Sequence, residues 1–357
     1  MEKQVECPIR VGFIGRPGGF GGIDRYVNEL YRELRKKGVD IQIVWTGEPR
    51  APFQKTLHSF FFLPPKVLKD SRRFDLIHAS QPMFCQAFPF LPKPKVVTFF
   101  DLIPILGRRW VSMKEHLRLF NFAVFSTWMI FAKFSDKIIT ISTQTFEELR
   151  EFGFPEEKLR VIPIGVSDKF VKLDMEKGEK KIIGYLGPVT YRKGVDFVIK
   201  SFSHLVRKHE IDAELWICGK WEKEYEYKHL VDLAKTLGVE DRVKFKGFIP
   251  QEKIVETYNR FDVFLFGSVY EGFGLPILEA QRCGVPVVIR KDARIPAEVS
   301  KCCVKAISPE DMAEKTFELL TNEGLRKKIS KQGIEYASGF TWERTAEETV
   351  KVYEELH

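Results

Sequence analysis

Short apolar runs alternate with amphipathic stretches along most of the chain, and this alternation predicts strands and helices in turn. Residues 9–14 form an apolar run typical of a buried strand, and a glycine-rich turn at 15–22 separates it from a helix. That helix is predicted because Tyr26, Leu30 and Leu34 recur every four residues and so share one face. Further strands of the first half are predicted at 39–45, 76–78, 96–99, 137–141 and 159–163.

The second half of the chain is more regular still. Strands are predicted at 181–186, 213–218, 243–248, 262–266 and 286–289, with helices at 194–209, 225–237, 251–260 and 276–283 between them. Strands that alternate with helices form parallel sheets with right-handed crossovers. We therefore expect an α/β fold of two Rossmann-like domains that face each other across a cleft. Ligands of such sheets bind beyond the carboxyl ends of the strands.

The expected domain boundary falls where the composition changes. Residues 170–180 are polar and charged, which is typical of a linker, so we place one domain at 1–172 and a second at 173–337. The last stretch, 338–357, has the pattern of an amphipathic helix.

Positive charge and phenylalanine are concentrated in one part of the chain. The sequence carries a formal charge of +8, and residues 50–137 hold 14 basic and 5 acidic residues with 15 of the 31 phenylalanines. Basic residues interleaved with aromatic ones are typical of contact with an anionic membrane surface. A helical subdomain with a Phe-rich core and a solvated basic face explains the pattern at least as well. No nucleic-acid partner is expected, because no RNA- or DNA-binding motif accompanies the charge.

Membrane-spanning and metal-binding classes are disfavoured. No apolar run reaches the roughly 20 residues that a membrane-spanning helix needs; the best candidate, 119–132, has 14. The acidic, polar N-terminus is untypical of a secretory signal. None of the six cysteines forms a C-x-x-C pair, so no metal site is expected. We expect a cytoplasmic protein, peripheral on the inner face of the membrane if the basic stretch binds lipid.

The strongest candidate for chemistry is the string EGFGLPILE, which runs from Glu271 to Glu279. It follows a predicted strand and enters a helix at Pro276, a residue favoured at the first helical position. Backbone N–H groups at a helix start can face an anion such as a diphosphate; here they belong to Gly272, Phe273, Gly274 and Leu275. Glu279 is expected in the first helical turn. The two carboxylates can then reach different hydroxyls of one extended ligand.

Two lysines follow neighbouring predicted strands of the second domain. The loop that begins at Gly187 joins a strand to a helix, with Arg192 and Lys193 at the helix entrance. Lysine is a point cation suited to phosphate, and a helix start adds backbone donors. Lys220 follows the next strand, where it can share a diphosphate with Lys193. The predicted edge of this sheet therefore carries an anion site.

These motifs resemble those of the retaining glycosyltransferases of the GT-B fold, the "group 1" family, over nearly the whole chain. The most specific element is the E-x7-E motif, which the string EGFGLPILE contains. Gly21 and Gly22 with Arg25 resemble the acceptor loop of that family. Residues 340–342 resemble the start of a C-terminal helix that crosses back to the first domain.

The resemblance implies an N-terminal acceptor-binding domain and a C-terminal donor-binding domain. It implies that Glu271 contacts the donor sugar and Glu279 the nucleotide ribose, with residues 272–275 along the sugar and diphosphate. The other donor-binding residues implied are Gly187, Arg192, Lys193, Lys220 and Ile249, the last in the loop beside the base. The implied acceptor-binding residues are Gly21, Gly22, Arg25 and Asp101.

The implied reaction moves a hexose from a GDP- or UDP-linked sugar to a glycan or lipid-linked acceptor. The anomeric configuration is retained, and neither a metal nor another cofactor takes part. Glu271 and Lys193 are the expected catalytic residues, because the lysine and the helix-start amides stabilise the leaving diphosphate.

Two positions depart from the family pattern. Phe100 stands where many members have histidine, and Pro188 stands where many have arginine. Arg192 or Lys220 is expected to replace the missing cation. The alternative hypothesis is a GT-B-shaped protein that binds a nucleotide sugar or acts as a scaffold but is catalytically impaired. An NAD-dependent oxidoreductase is disfavoured, because Asp24 stands where the third glycine of the dinucleotide fingerprint would fall.

Overall fold

The computed structural model describes residues 9–16, 22–45, 58–106, 115–221 and 223–357, and the structural statements below refer to these. The chain divides into two compact units. Unit 1 comprises Met1–Gly165 and Thr341–His357, and unit 2 comprises Val166–Phe340. Each unit has a parallel sheet with helices, which confirms the predicted α/β class with two Rossmann-like domains.

The sheet of unit 1 has six described strands. They are β1 (Arg10–Ile14), β2 (Asp40–Val44), β3 (Leu76–Ala79), β4 (Lys95–Phe99), β5 (Lys137–Thr140) and β6 (Leu159–Val161). All pairs are parallel and the spatial order is β2-β1-β3-β4-β5-β6. The described α-helices before unit 2 are α1 (Gly22–Lys36), α2 (Leu63–Asp70), α3 (Ile103–Leu106), α4 (Glu115–Ala132) and α5 (Thr143–Glu151), and a π-helical turn at His58–Phe62 precedes α2. Parallel strands are covered on both faces, which explains why β3 is buried at all four positions.

The sheet of unit 2 also has six described strands. They are β7 (Lys181–Leu186), β8 (Ala213–Cys218), β9 (Val243–Gly247), β10 (Val263–Phe266), β11 (Val287–Arg290) and β12 (Val304–Ala306). All pairs are parallel, in the order β12-β11-β10-β7-β8-β9. The helices are α6 (Val195–His209), α7 (Glu224–Thr236), α8 (Ile254–Arg260), α9 (Leu275–Arg282), α10 (Ala297–Ser300), α11 (Pro309–Thr321) and α12 (Glu323–Ser338). The last helix, α13 (Trp342–Glu354), belongs to unit 1.

Apolar stripes on the helices form the core of unit 2. Val198, Ile199 and Phe202 of α6 are fully buried against β-strand residues such as Ile183 and Leu215. Burial of each large apolar side chain contributes roughly 1.5–3 kcal/mol. Strand β7 pairs with β10 on one side and with β8 on the other, so the carboxyl ends of these three strands lie side by side.

The unit boundary lies at 165/166, whereas we predicted 172/173. The intervening segment is held by unit 2. Phe170 is fully buried with its ring edge-on to that of Tyr258, at 5.9 Å between centroids. The Asn259 side chain donates to the Val171 carbonyl and accepts from the Leu173 N–H. A polar stretch therefore lies within the second unit because one buried ring and one amide fix it there.

The Phe-rich basic stretch contributes to both the core and the surface of unit 1. Phe84, Phe88 and Phe125 are buried in the core, while Phe61 and Phe62 are about two-thirds exposed. The interpretation as a Phe-rich core accounts for the buried phenylalanines, and the interpretation as a membrane-binding surface accounts for the exposed ones. Among the described helices, none combines the length and the apolar character that crossing a membrane requires.

Candidate functional site

Glycine–glycine contacts bring three loops together at the carboxyl edge of the unit 2 sheet. Gly194, after β7, has a left-handed backbone (φ 59°) and lies against Gly267, which follows β10. A Cβ on either glycine would overlap the carbonyl oxygen of the other. A Cβ on Gly219, after β8, would likewise overlap the Gly187 carbonyl oxygen. Because only hydrogen side chains fit, these loops approach one another more closely than other residues allow.

A buried ion pair lies at this edge. The Lys193 Nζ atom is 2.6 Å from Glu271 Oε1, and the two residues are only 8% and 7% exposed. The same carboxylate oxygen accepts a 2.5 Å hydrogen bond from Ser268 Oγ, and Glu271 Oε2 lies 3.5 Å from an Arg192 guanidinium nitrogen. The structure thus places one carboxylate next to two cations, in a pocket largely shielded from water.

Burial of the Glu271 carboxylate acts to raise its pKa. The positive charges of Lys193 and Arg192, with the hydrogen bonds from Lys193 and Ser268, outweigh that effect and hold the pKa below its ordinary value. Glu271 is therefore a carboxylate at neutral pH. It can accept hydrogen bonds from hydroxyl groups of a ligand.

Backbone hydrogen bonds hold the loop that carries Glu271. Arg192 donates from its guanidinium to the Tyr270 carbonyl at 2.6 Å, and its own carbonyl accepts from the Val269 N–H. The Glu271 N–H donates to the Arg294 carbonyl, and the Arg294 N–H donates to that of Val269. The loop backbone is thus held on two sides, which fixes the position from which Glu271 extends.

The helix that follows starts one residue earlier than predicted. Gly274, with a left-handed φ of 108°, is the N-cap, so α9 begins at Leu275 and Pro276 is its second residue. Glu279 is consequently the fifth residue of α9, and the prediction that it lies in the first turn is wrong. It is buried, and its Oε2 atom accepts a 2.9 Å hydrogen bond from the Tyr258 hydroxyl. That hydrogen bond orients the Glu279 carboxylate.

A shallow cavity of about 510 Å³ lies beside the loops after β8 and β9 and is lined by Lys220, Trp221 and Phe248. The Trp221 ring stacks on that of Tyr227 at 4.4 Å, and Phe248 is 68% exposed. Ile249, the predicted base-loop residue, follows Phe248 and is half-buried. This cavity offers aromatic faces and a cation on the same sheet edge as the ion pair.

The predicted acceptor loop lies in unit 1. Gly22 is the first residue of α1 and is exposed, and Arg25 is half-buried one turn further along. Gly21 lies outside the described residues. The described part of this loop therefore places its glycine at the start of a helix, where the first backbone N–H groups have no hydrogen-bond partner within the helix.

Asp101 has a structural partner. Its Oδ1 atom accepts a 2.9 Å hydrogen bond from the Ile103 N–H at the start of α3. The preceding Phe100 ring lies edge-on to that of Tyr26 in α1, at 5.0 Å. The turn after β4 and the start of α1 therefore adjoin within unit 1, so Asp101 and Arg25 are on neighbouring elements.

Several residues that shape the unit 2 site are not indicated by the sequence patterns above. Gly267 and Ser268 directly follow the predicted strand 262–266, a position typical of site residues in parallel sheets, so a local signal existed. Tyr258 lies within a predicted helix and Arg294 lies in a loop well beyond the motif, so neither carried a local signal. Their contacts depend on the folded arrangement.

Known proteins resemble this chain in both halves. Residues 168–336 match the family described as "Glycosyl transferases group 1", and residues 20–170 match "Glycosyltransferase Family 4". An uncharacterized glycosyltransferase of Methanocaldococcus jannaschii is 30% identical over 238 residues, 61% of this chain and 60% of that protein. D-inositol 3-phosphate glycosyltransferase of Corynebacterium jeikeium is 29% identical over 242 residues, 62% of this chain and 58% of that protein. The chain thus spans about six-tenths of the length of these relatives.

Two solved structures share the fold. Sucrose-phosphate synthase from Thermosynechococcus elongatus has a TM-score of 0.78 and 18% identity, with 98% of this chain and 99% of that chain covered. Anabaena HepE in complex with UDP and glucose has a TM-score of 0.76 and 18% identity, covering 98% and 100%. At this identity the likeness concerns the fold alone.

Proposed function

Because the chain belongs to the group 1 glycosyltransferases, we propose that it transfers a sugar from a nucleotide-diphosphate donor to an acceptor. The observation that carries the proposal is the buried pair of Lys193 and Glu271 at the carboxyl edge of the unit 2 sheet. A cation next to a fixed carboxylate fits a ligand that joins a diphosphate to a sugar.

Each half of that ligand has partners at this edge. Lys193 and Arg192 supply positive charge for the diphosphate, and the amides at the start of α9 add donors. Glu271 accepts from hydroxyls of the donor sugar, and Glu279 from those of the ribose. Arg192 lies close enough to Glu271 to act as the second cation that Pro188 does not provide.

We expect the reaction to retain the anomeric configuration. The bond from the anomeric carbon to the diphosphate oxygen breaks as Lys193 and Arg192 stabilise the negative charge of the leaving group. The acceptor oxygen then bonds to the same face of that carbon, and its proton passes to the leaving phosphate oxygen. These steps require only cations and amides of the chain, so transfer is expected to persist in excess EDTA.

The base is expected in the cavity beside Lys220. The faces of Trp221 and Phe248 suit a flat heterocycle, and aromatic pairs contribute about 0.5–1.5 kcal/mol beyond area burial. Structures of Anabaena HepE hold UDP and UDP-glucose, which supports a nucleotide sugar as donor for this fold. Uridine and guanosine both remain candidates, and the sugar is expected to be a hexose.

The experiment is a turnover assay. The protein is incubated with UDP- and GDP-hexoses and a lipid-linked or glycan acceptor, and free nucleoside diphosphate is measured. We expect release that Lys193→Ala and Glu271→Ala both abolish, while Lys200→Ala, which removes an exposed lysine of α6, leaves it unchanged. Nucleotide-sugar binding without release would support the alternative, a catalytically impaired binding or scaffold protein. Release that survives both site variants would contradict the assignment.

The acceptor is expected to be anionic or held at a membrane, because of the exposed face of unit 1. Phe61 and Phe62 lie beside Phe60, whose ring contacts that of Phe131 in α4, and Ile130 of α4 is 59% exposed. Basic residues occur in the same stretch, and each contributes roughly 1 kcal/mol near an anionic surface. Lys66 and Lys69 of α2, which begins directly after Phe62, place positive charge on the element next to these apolar side chains.

Vesicle sedimentation tests this part separately. At low salt we expect the protein to sediment with vesicles that contain anionic lipid and not with neutral ones. Phe61→Ser with Phe62→Ser should weaken that association, whereas Phe248→Ser, at an equally exposed phenylalanine of unit 2, should not. Absence of sedimentation with anionic vesicles would contradict membrane contact and leave the donor site unaffected.

A further inference from the structure

A second cavity, of about 910 Å³, lies in unit 2 at the opposite edge of the sheet from the ion pair. Asp262 and Pro286, which line it, stand immediately before β10 and β11, whereas Glu271 follows the carboxyl end of β10. A strand advances about 3.3 Å per residue, so the five steps from Asp262 to Gly267 separate the two edges by roughly 16 Å. The cavity falls within the size range of small-molecule sites.

Positive charge predominates around this cavity, which we term the basic groove. Its cationic side chains are Lys172, Lys177, Arg326, Lys327 and Lys331. Its acidic side chains are Asp262 and Glu335, so five positive charges face two negative ones, a surplus of three. Unit 2 holds 30 basic and 27 acidic residues, so the surplus at the groove equals the net charge of the whole unit.

Most of these cations lack a carboxylate partner. Lys327 is paired with Glu323 at 2.8 Å. Within the described part of the chain, no carboxylate oxygen lies within 4 Å of Lys172, Arg326 or Lys331. Arg326 donates only to main-chain carbonyls at the end of α11. Three cations therefore line the groove with their charge uncompensated.

The surroundings of Lys177 show that positive charges in the groove lie close enough to repel one another. Its Nζ atom donates to the Phe261 carbonyl at 2.5 Å and lies 3.4 Å from Asp262. Burial lowers the pKa of this lysine, the Asp262 charge acts against that, and the nearby Arg326 lowers it further. Asp262 is itself engaged, since its other oxygen accepts from the Ile182 N–H. An anion in the groove would relieve this repulsion.

The base of the groove is apolar and its wall is closely fitted. Ile334 is half-buried and provides the apolar lining, with the buried residues Phe261 and Pro286 behind it. Gly284 has a left-handed φ of 72°, and a Cβ there would lie 2.9 Å from the Lys172 side chain. The glycine therefore leaves room for the lysine stem along the wall. The result is a concave surface with an apolar base and cations around it.

We propose that the basic groove binds a small, soluble compound that carries several phosphate charges, at a site separate from the donor site. Lysine ammonium groups and a forked guanidinium are the groups that proteins use for phosphate oxygens. Unpaired cations around a recess favour a compact polyanion over an extended polymer. The proposal does not depend on the proposed transferase activity.

Calorimetric titration of the full chain with tripolyphosphate, at about 0.15 M salt to screen unspecific attraction, is the test. We expect saturable binding that Lys172→Gln with Lys331→Gln weakens by about tenfold or more, because two of the charged donors to the phosphate oxygens are lost. Both lysines are exposed, so the double variant should fold, which circular dichroism verifies. Lys328→Gln removes an exposed lysine of the same helix outside the groove and should change affinity by less than about twofold.

A further variant separates the two edges of the sheet. Binding that persists in Lys193→Ala and is lost in the Lys172/Lys331 double variant supports the groove. Binding that is lost in Lys193→Ala and kept in the double variant would assign the anion to the donor site and overturn the proposal. Absence of saturable binding at millimolar tripolyphosphate would overturn it as well.

Discussion

Separating the partners of the buried ion pair should destabilise unit 2 in a way that is not additive. Lys193→Met keeps the length of the side chain without its charge, and Glu271→Gln keeps the shape of the carboxylate. Each residue is less than a tenth exposed, so each single variant leaves a buried ionic group without the partner 2.6 Å away. The double variant leaves neither group charged.

The magnitude follows from what remains around each group. Removing one partner of a buried pair costs roughly 3–5 kcal/mol. After Lys193 is lost, Glu271 still has Ser268 and Arg192 as partners. We therefore expect Lys193→Met to lower the free energy of unfolding by about 3 kcal/mol, the lower end of that range. Glu271→Gln leaves two cations together and should cost at least as much. The double variant should cost about 2 kcal/mol less than the sum of the singles.

Urea denaturation at pH 7, followed by circular dichroism, measures this cycle. The pKa of Glu271 is lowered, so its contribution to stability is complete above the unfolded value near pH 4.3 and is lost only as the pH falls through the folded-state value. Neutral pH therefore reports the full effect. Strictly additive single costs, or a Glu271→Gln variant more stable than the parent, would refute the reasoning.

Three further predictions concern other buried groups. His78 is fully buried between Thr98 and Tyr353 and burial lowers its pKa to about 3, so the free energy of unfolding should fall as the pH drops below 6.5. The free energy of unfolding should be about 2 kcal/mol lower at pH 5 than at neutral pH, as measured by urea denaturation at each pH. The His78→Gln variant should lack this loss. Gly267→Ala should destabilise unit 2 by about 2 kcal/mol or more and reduce transfer, because its Cβ would meet backbone; Gly178→Ala, in open space, is the matched control in the same denaturation and turnover assays. Tyr258→Phe should cost roughly 1.5–3 kcal/mol in urea denaturation and raise the KM for the donor more than it lowers kcat, because it releases Glu279.

Much of the fold could be predicted from the sequence because apolar periodicity alone sets which segments are strands. The strands 181–186 and 213–218 have the predicted bounds, since each is rich in large apolar residues, follows a charged residue and ends just before a glycine. The placement of Lys193 and Glu271 at one edge of the sheet also follows, because each comes after the carboxyl end of a parallel strand; that these two strands are neighbours is seen only in the structure. Local pattern and the rules of parallel sheets were sufficient there.

The features that could not be predicted depend on long-range fit. No local pattern states that Gly194 and Gly267 approach backbone to backbone, or that the Tyr258 hydroxyl meets Glu279. The start of α9 was misplaced by one residue because the cap is a left-handed glycine, and the sequence alone offered Pro276 as the stronger signal. That shift moved Glu279 out of the first turn.

Titration with matched pairs of ligands, a nucleoside diphosphate and its hexose derivative, tests the donor site most directly. Lys193 is assigned to the diphosphate and Glu271 to the sugar, so the two variants should differ in kind. Lys193→Ala should weaken both ligands by about the same factor. Glu271→Ala should weaken the hexose derivative selectively and leave the nucleoside diphosphate nearly unchanged. If each variant binds both ligands as tightly as the parent protein does, the account is contradicted.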